Sequence, residues 1–224
     1  MDNLEIYIIC HDRASYEWFV NNNRNINGNF DKYKYVLVGD HSEVPDYMPK
    51  GTIVPNLFKN NIEKYPTLLT YTAWYALLSN CKARAKYIGL FEYDVVIHRD
   101  LFELEKEMDY RTFGGFFRYP VKSPLYLDSI PEFCELMPKG LLESAKNGYE
   151  FWNATTNCIL PIVFLDMFVV WYKQYVPKIL SIKNHPHIHE RAVNLYASMH
   201  SLKYKFFDGY MIHKQFKSHK IELS

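Results

Sequence analysis

The sequence predicts an α/β protein built on a mainly parallel sheet with helices packed against it. Two observations carry this. Apolar, β-rich runs alternate along the chain with segments whose apolar residues recur at helical spacing. The runs end in polar or charged residues, and in open sheets of this kind ligands gather beyond the carboxyl ends of the strands. The 224 residues, 48% of them apolar, suffice for one well-filled core and not for two independent domains.

Residues 5–10 form the first run, which stops at His11-Asp12-Arg13; the helix at 14–22 follows, with Tyr16, Phe19 and Val20 at helical spacing. An Asn-rich segment leads to a second strand at 33–38 that ends in Gly39-Asp40-His41, and a short apolar run follows at 52–54. Pro66 opens the clearest helix, whose Leu68, Leu69, Thr72, Ala73, Tyr75, Ala76 and Leu77 make one broad face before Asn80. Residues 87–91 read as a buried strand, 101–108 as a short charged helix, and 112–118, with Gly114-Gly115 inside, as a further strand. The proline-rich stretch 121–140 reads as a surface excursion suited to an acceptor site. An apolar helix broken near Pro177 (162–182), an amphipathic helix (188–201) and a last strand (205–212) complete the pattern.

Composition excludes several function classes. The charges nearly cancel at +1 and form no basic stripe, so no nucleic-acid partner is expected. Cys10, Cys81, Cys134 and Cys158 lie far apart with no CxxC pair, which predicts a reduced compartment and neither zinc nor redox chemistry. The N-terminus reads as a first strand and not as a secretory signal, so the expected localisation is cytoplasmic. The apolar stretch 158–172 is too short to span a bilayer and contains Pro161 and Asp166, so no membrane insertion is expected. Asn153-Ala154-Thr155 is a glycosylation sequon that matters only in a secreted protein. The 17% aromatic content is expected to serve mainly the core.

The chemistry concentrates at Glu92-Tyr93-Asp94. In extended backbone Glu92 and Asp94 project the same way, and two carboxylates at one place repel unless one pKa rises or a cation sits beside them. Oxygen donors favour Mn2+ or Mg2+, with phosphate oxygens completing the shell, so a bridged diphosphate is the natural partner. The competing structural reading has the two acids capping the next helix or pairing with Arg99 and Arg84.

This order of elements, ending in an acid-x-acid triplet after an apolar strand, resembles glycosyltransferases of the GT-A type with a DxD motif, here in the form ExD. The segments Asn61-Ile62-Glu63-Lys64-Tyr65-Pro66, Thr70-x-x-Ala73-Trp74-Tyr75 and Tyr87-Ile88-Gly89-Leu90-x-x-Tyr93, together with His189-Glu190-Arg191, are similar to bacterial capsular and exopolysaccharide glycosyltransferases of an otherwise uncharacterised domain family. That family carries His-Tyr-Arg-Arg where this chain has Glu92-Tyr93-Asp94. The resemblance implies a single-domain, Rossmann-like GT-A fold over residues 1–224, with a nucleotide-binding half at about 1–95 and an acceptor and catalytic half at about 96–224. It implies a metal-dependent transfer from a nucleotide-sugar, a UDP-sugar in the first instance, to a glycan or glycoconjugate.

The resemblance also implies roles. Asp94 ligates Mn2+ or Mg2+, Glu92 touches the metal or the ribose, and His213 supplies a third ligand, with His219 in reserve. Asp40 accepts from the uracil imide, while His11, Arg13 and Tyr93 lie beside the donor; Arg13 is equally readable as a surface helix-start residue. Lys214 and Lys217 add positive charge over the departing diphosphate. An inverting transfer needs a general base, for which the candidates are Glu190, at a helix start, and Asp166, inside an apolar run where burial is costly without a partner or a function. The alternatives are a sugar-phosphate nucleotidyltransferase, for which a glycine-rich N-terminal loop is missing, and a non-catalytic carbohydrate-binding module. His98-Arg99-Asp100, the alternating His185, His187 and His189, and Gly114-Gly115 each lack the context that would give them a kinase, zinc or dinucleotide role.

Overall fold

A run of apolar residues with no polar alternation marks a strand covered on both faces, and β1 (Leu4–Cys10) is such a strand in the interior of the sheet. In the computed structural model, which describes residues 3–25, 29–121, 131–136, 143, 148–182 and 188–214, six strands form the main sheet. These are β1, β2 (Lys34–Leu37), β3 (Tyr87–Glu92), β5 (Thr112–Gly115), β8 (Cys158–Pro161) and β9 (Lys203–Phe206), in the order β2-β1-β3-β8-β5-β9. All run the same way except β8, which is antiparallel to both β3 and β5. The sheet is therefore mainly parallel. Two ribbons stand beside it: β4 (Val95–Ile97) with β10 (Met211–His213), and β6 (Arg118–Pro120) with β7 (Phe151–Asn153), both antiparallel.

Helices cover both faces. Ile6, Ile8 and Cys10 pack with Phe19 of α1 (Arg13–Asn23) and with Leu101 and Leu104 of a 3-10 segment. Tyr7, Ile9, Ile88 and Leu90 join the larger cluster of α2 (Tyr71–Ser79), α4 (Ile162–Lys173) and α6 (Ile188–Met199), where Trp74, Phe168 and Tyr172 are fully buried. Each such side chain contributes roughly 1.5–3 kcal/mol by leaving water. A single turn, α3 (Pro131–Glu135), and a short helix, α5 (Val176–Ile179), are also present.

Several expected boundaries shift for identifiable reasons. The helix opened by Pro66 begins as a 3-10 turn, Pro66–Leu68, and becomes α-helical at Tyr71 after Leu69 takes φ 47, a left-handed value that costs a branched-chain residue energy. The helix expected at 162–182 does start at Ile162, but it divides into α4 and α5 after Lys173, and the apolar residues just before it form β8, a strand not expected from the sequence. The strand expected at 112–118 breaks after Gly115, and the one expected at 205–212 divides into β9 and β10, which belong to different sheets. Gly114 and Gly115 are close-approach positions. A Cβ at Gly114 would meet the Phe207 ring at 2.7 Å, and one at Gly115 would meet Asn153 Cβ at 3.2 Å. Trp152 is fully buried and unavailable to stack on a ligand.

Candidate functional site

The parallel register of β1 and β3 pairs Ile9 with Glu92, so Glu92 emerges at the carboxyl end of the sheet. The strand stops there. Tyr93-Asp94 form a turn into β4, and the two-residue alternation used to align the carboxylates does not extend past Glu92. The turn sets the acids together by another route, helped by Lys214 N, which donates to Asp94 O at 2.8 Å. Because β10 runs antiparallel to β4, His213 lies opposite Val95 and joins them. The ligand-capable atoms of Glu92, Asp94 and His213 all fall within 4.8 Å of one another.

Asp94 Oδ1 is 3.3 Å from His213 Nε2. That oxygen is buried and receives no aligned hydrogen bond among the described residues. A buried acceptor left in this state is costly, and a cation would relieve it. Two carboxylates and an imidazole fit a hard divalent ion such as Mn2+ or Mg2+. Ligand bonds of about 2.1 Å put adjacent donors about 3 Å and opposite donors about 4.2 Å apart, within the spread observed here. Neither alternative partner is engaged with the pair: Arg99 stacks over Tyr210, and Arg84 Nε donates to Cys81 O.

Part of Glu92 is exposed, yet protein crowds its carboxyl closely. Burial pushes it up to about 7, the Glu190 and Asp94 charges add to the rise, and a hydrogen bond from Thr156 and the proximity of His213 oppose it. Thr156 Oγ1 donates to Glu92 Oε1 at 2.9 Å, and Glu92 N donates to Asn157 Oδ1 at 2.7 Å. Reversed β8 makes this possible, since its first residue pairs with Leu90 and its preceding loop therefore reaches the carboxyl end of β3. Sequence reading missed Thr156 and Asn157. The available signal was a polar run, 153–157, set between apolar strands. Asn153, read there only as a sequon, is fully buried and donates its side-chain amide to Thr155 O and Asn157 O.

A wall of rings flanks the acids. Tyr93 meets His11 edge-on at 5.8 Å and Trp18 at 6.3 Å, and Lys214 Nζ lies 5.3 Å from the Trp18 ring centre. Surrounding protein lowers the His11 pKa, against the raising influence of Asp12 and Asp94. Asp12 itself caps α1, its Oδ1 accepting from Ser15 N at 2.8 Å. Arg13 is held elsewhere, 3.7 Å from Glu17 and 5.0 Å over the Tyr47 ring, which is the contact set of a surface arginine. Asp40 is exposed at the end of β2 and accepts from Asn56 at 3.3 Å; beside it His41 Nε2 lies 3.0 Å from His11 O, tying the two strand-end loops together.

Glu190 opens α6 as an ion pair with Arg191, and its charge is felt at Glu92. The neighbouring His189 is buried 2.6 Å from Thr70 Oγ1, which joins α6 to the start of α2. Asp166 requires a correction. It is exposed on α4, so the burial that made it a candidate base does not exist. Antiparallel β8 also ends with Pro161 beside Tyr87, so α4 starts at the sheet edge opposite Glu92. Lys217 and His219, with His185, His187 and most of 121–140, lie outside the described residues.

No family model matches the sequence, and no curated protein matches it. Among solved structures the chain is similar to the apo structure of WbbM, a bifunctional glycosyltransferase, with a TM-score of 0.60 and 14% identity over 91% of this chain and 44% of that one. It therefore spans less than half the length of WbbM. It also aligns with the galactosyltransferase LgtC in complex with donor and acceptor sugar analogues, with a TM-score of 0.40 and 13% identity over 89% and 72% of the two chains, an overlap too loose to argue from. The likeness to WbbM is one of fold: a GT-A-like α/β architecture with a mainly parallel sheet flanked by helices.

Proposed function

We propose that this chain is a metal-dependent glycosyltransferase that moves a hexosyl or pentosyl unit from a nucleotide-sugar, a UDP-sugar by preference, to a glycan or glycoconjugate acceptor. The observation that supports this most is the convergence of Glu92, Asp94 and His213, with a buried carboxylate oxygen that receives no aligned hydrogen bond among the described residues, at the carboxyl end of a central parallel strand. Ligands of α/β sheets bind at that end.

Breaking the bond between the anomeric carbon and the diphosphate builds negative charge on the leaving oxygen and positive charge on the ring. A divalent cation supplies Lewis acidity and charge neutralisation for the first of these. Asp94, Glu92 and His213 would hold it. Lys214, exposed beside the cluster, adds a positive charge that favours the departing diphosphate. His11 and Tyr93, with Trp18 behind Tyr93, offer the flat surfaces against which a base can lie, and Asp40 at the neighbouring strand end is the acceptor for a base N–H. Arg13 contributes only long-range charge, given its contacts with Glu17 and Tyr47. Glu190 takes the acceptor proton in an inverting transfer.

Calorimetric titration with UDP and a panel of UDP-sugars, with and without Mn2+, tests this reading. Nucleotide binding that requires Mn2+, and sugar transfer or slow donor hydrolysis in the same mixture, are the expected results. Nucleotide binding indifferent to Mn2+, or glycan binding with no nucleotide affinity at all, would overturn it.

A further inference from the structure

Glu92 and Glu190 stand on elements far apart in sequence, one closing β3 and the other opening α6. A chain of buried amides joins their backbones. Glu92 N donates to Asn157 Oδ1 at 2.7 Å, and Asn157 O accepts from Asn153 Nδ2 at 2.8 Å. Asn153 and Asn194 then bond reciprocally: Asn153 N donates to Asn194 Oδ1 at 3.0 Å, and Asn194 Nδ2 donates to Asn153 O at 3.1 Å. The same Asn194 Nδ2 donates to Glu190 O at 2.7 Å. All three asparagines are 0% exposed.

Their remaining polar atoms are engaged as well. Asn153 Oδ1 accepts from Phe116 N and Phe117 N, Asn157 Nδ2 donates to Thr155 Oγ1, and Tyr204 OH donates to Asn194 Oδ1. Gly115 leaves the room that Asn153 occupies. Burying three amides is costly unless each is bonded, and a bonded set is stiff because every member has one arrangement that satisfies it. A site that needed only filling would take leucine at lower cost. The amides run between the two carboxylates and end at their backbones, which fixes β3 against α6 at that point.

We propose that Asn194, with Asn153 and Asn157, is a positioning residue: the amide chain sets the separation between Glu190 and the Glu92, Asp94 and His213 cluster. The catalytic consequence rests on the transferase reading above. A misplacement of about 1 Å between reacting groups costs on the order of 100-fold in rate, so a rigid tie at this point has a function that sheet pairing alone does not supply.

The test uses the full chain with Asn194→Ala and, because that variant removes several buried bonds, Tyr204→Phe, which removes only the hydroxyl bonded to Asn194. Two measurements are made on each. In sugar transfer with Mn2+ and the donor, kcat is expected to fall roughly 10- to 100-fold in Asn194→Ala and a few-fold in Tyr204→Phe, with donor KM and the Mn2+–UDP affinity within about threefold of wild type. In amide hydrogen exchange, the Asn153 amide and the Glu92 amide two links away are both expected to exchange on the order of tenfold faster, while the amides of β1 hold their rates. A folded Asn194→Ala variant with kcat within about threefold of wild type overturns the positioning role. Acceleration at Asn153 without acceleration at Glu92 overturns the tie. Should Asn194→Ala fail to fold, unchanged exchange and kcat in Tyr204→Phe overturn both. If the wild type transfers no sugar from any nucleotide donor, the transferase reading fails, and the exchange measurement still decides whether the amides form one mechanical unit.

Discussion

Glu5 and Glu92 lie on neighbouring inner strands at opposite ends of the sheet, and the protein treats them in opposite ways. Glu5, four positions before the Ile9 that faces Glu92, is about 13 Å away along the strand direction. It borders a cavity of 1100 Å³ lined by Lys32, Lys34, Lys50, Arg84 and several tyrosines. Burial alone would raise its pKa, but Lys34 and the backbone N–H groups of Arg84 and Ala85 outweigh that and leave it lowered. Glu92 has a threonine and two other acids for company, and its carboxyl is pushed up to about 7. The cavity thus lies at the end whose carboxylate is satisfied, while Glu92 at the other end sits among acids that raise its pKa. Unrelieved charge, more than cavity size, marks the site.

The largest expected effect breaks the crowded end. Asp94→Ala is expected to weaken Mn2+-dependent UDP binding by at least about 100-fold, since a cation loses an anionic ligand. It should change thermal stability little, because the buried oxygen it removes makes, among the described residues, no aligned hydrogen bond and only the 3.3 Å contact with His213 Nε2. Calorimetry and a melting curve check the two halves. Unchanged affinity would remove Asp94 from the site.

Protons and the cation compete for Glu92, so Mn2+ affinity should climb with pH and level off above about 7, gaining up to about tenfold per unit below that. Without metal the sign reverses. A folded carboxyl titrating near 7 and an unfolded one near the ordinary 4.5 mean that the folded state holds the extra proton between those values. Stability therefore declines as pH rises through that window and is flat above it. The difference in urea midpoint between wild type and Glu92→Gln, measured metal-free at pH 5 and pH 8, isolates this contribution. A difference that does not grow with pH would contradict the raised carboxyl.

Much of this arrangement was legible in the sequence because strands buried on both faces announce themselves as unbroken apolar runs, and their ends as abrupt polarity. Residues 5–10 and 87–91 have that form, which located Glu92 and Asp94 at a sheet edge. His213 was found through the resemblance to GT-A enzymes. Short strands were not legible: β4, β7 and β8 have 3, 3 and 4 residues, too few to show a period, and β8 runs directly into an apolar helix. Missing β8 hid the reversed strand, and with it the loop that delivers Thr156 and Asn157 to Glu92. Asp166 misled for a related reason. An acid inside an apolar stretch suggests burial, but the exposed Val163, Met167 and Val170 around it show that α4 carries apolar residues on its outer face as well.

The satisfied end offers the next test. Glu5 accepts from Arg84 N at 2.8 Å, Ala85 N at 3.2 Å and Tyr7 OH at 3.0 Å, besides Lys34. Glu5→Ala should cost roughly 2 kcal/mol in urea denaturation, the scale for stranding donors of a charged acceptor, while Mn2+–UDP affinity stays within about twofold. Its contribution is present above the ordinary carboxylate range and disappears as pH falls through the lowered folded value. A change in nucleotide affinity would mean the two ends are coupled.

Thr156→Val should produce the smallest change, and one that depends on pH. The Thr156 hydroxyl donates to Glu92 Oε1 and stabilises the ionised form, against burial and the neighbouring acids. Replacing the hydroxyl with a methyl of nearly the same shape removes that bond while keeping the packing, so the Glu92 carboxyl holds its proton to a higher pH. Mn2+ affinity is then expected to drop roughly fivefold at pH 6, where the proton competes well, and by less than about twofold at pH 8.5, where little proton remains to compete. A loss equal at both pH values would mean that Thr156 orients the carboxylate instead of setting its charge; no loss at either would mean that Glu92 does not ligate the metal.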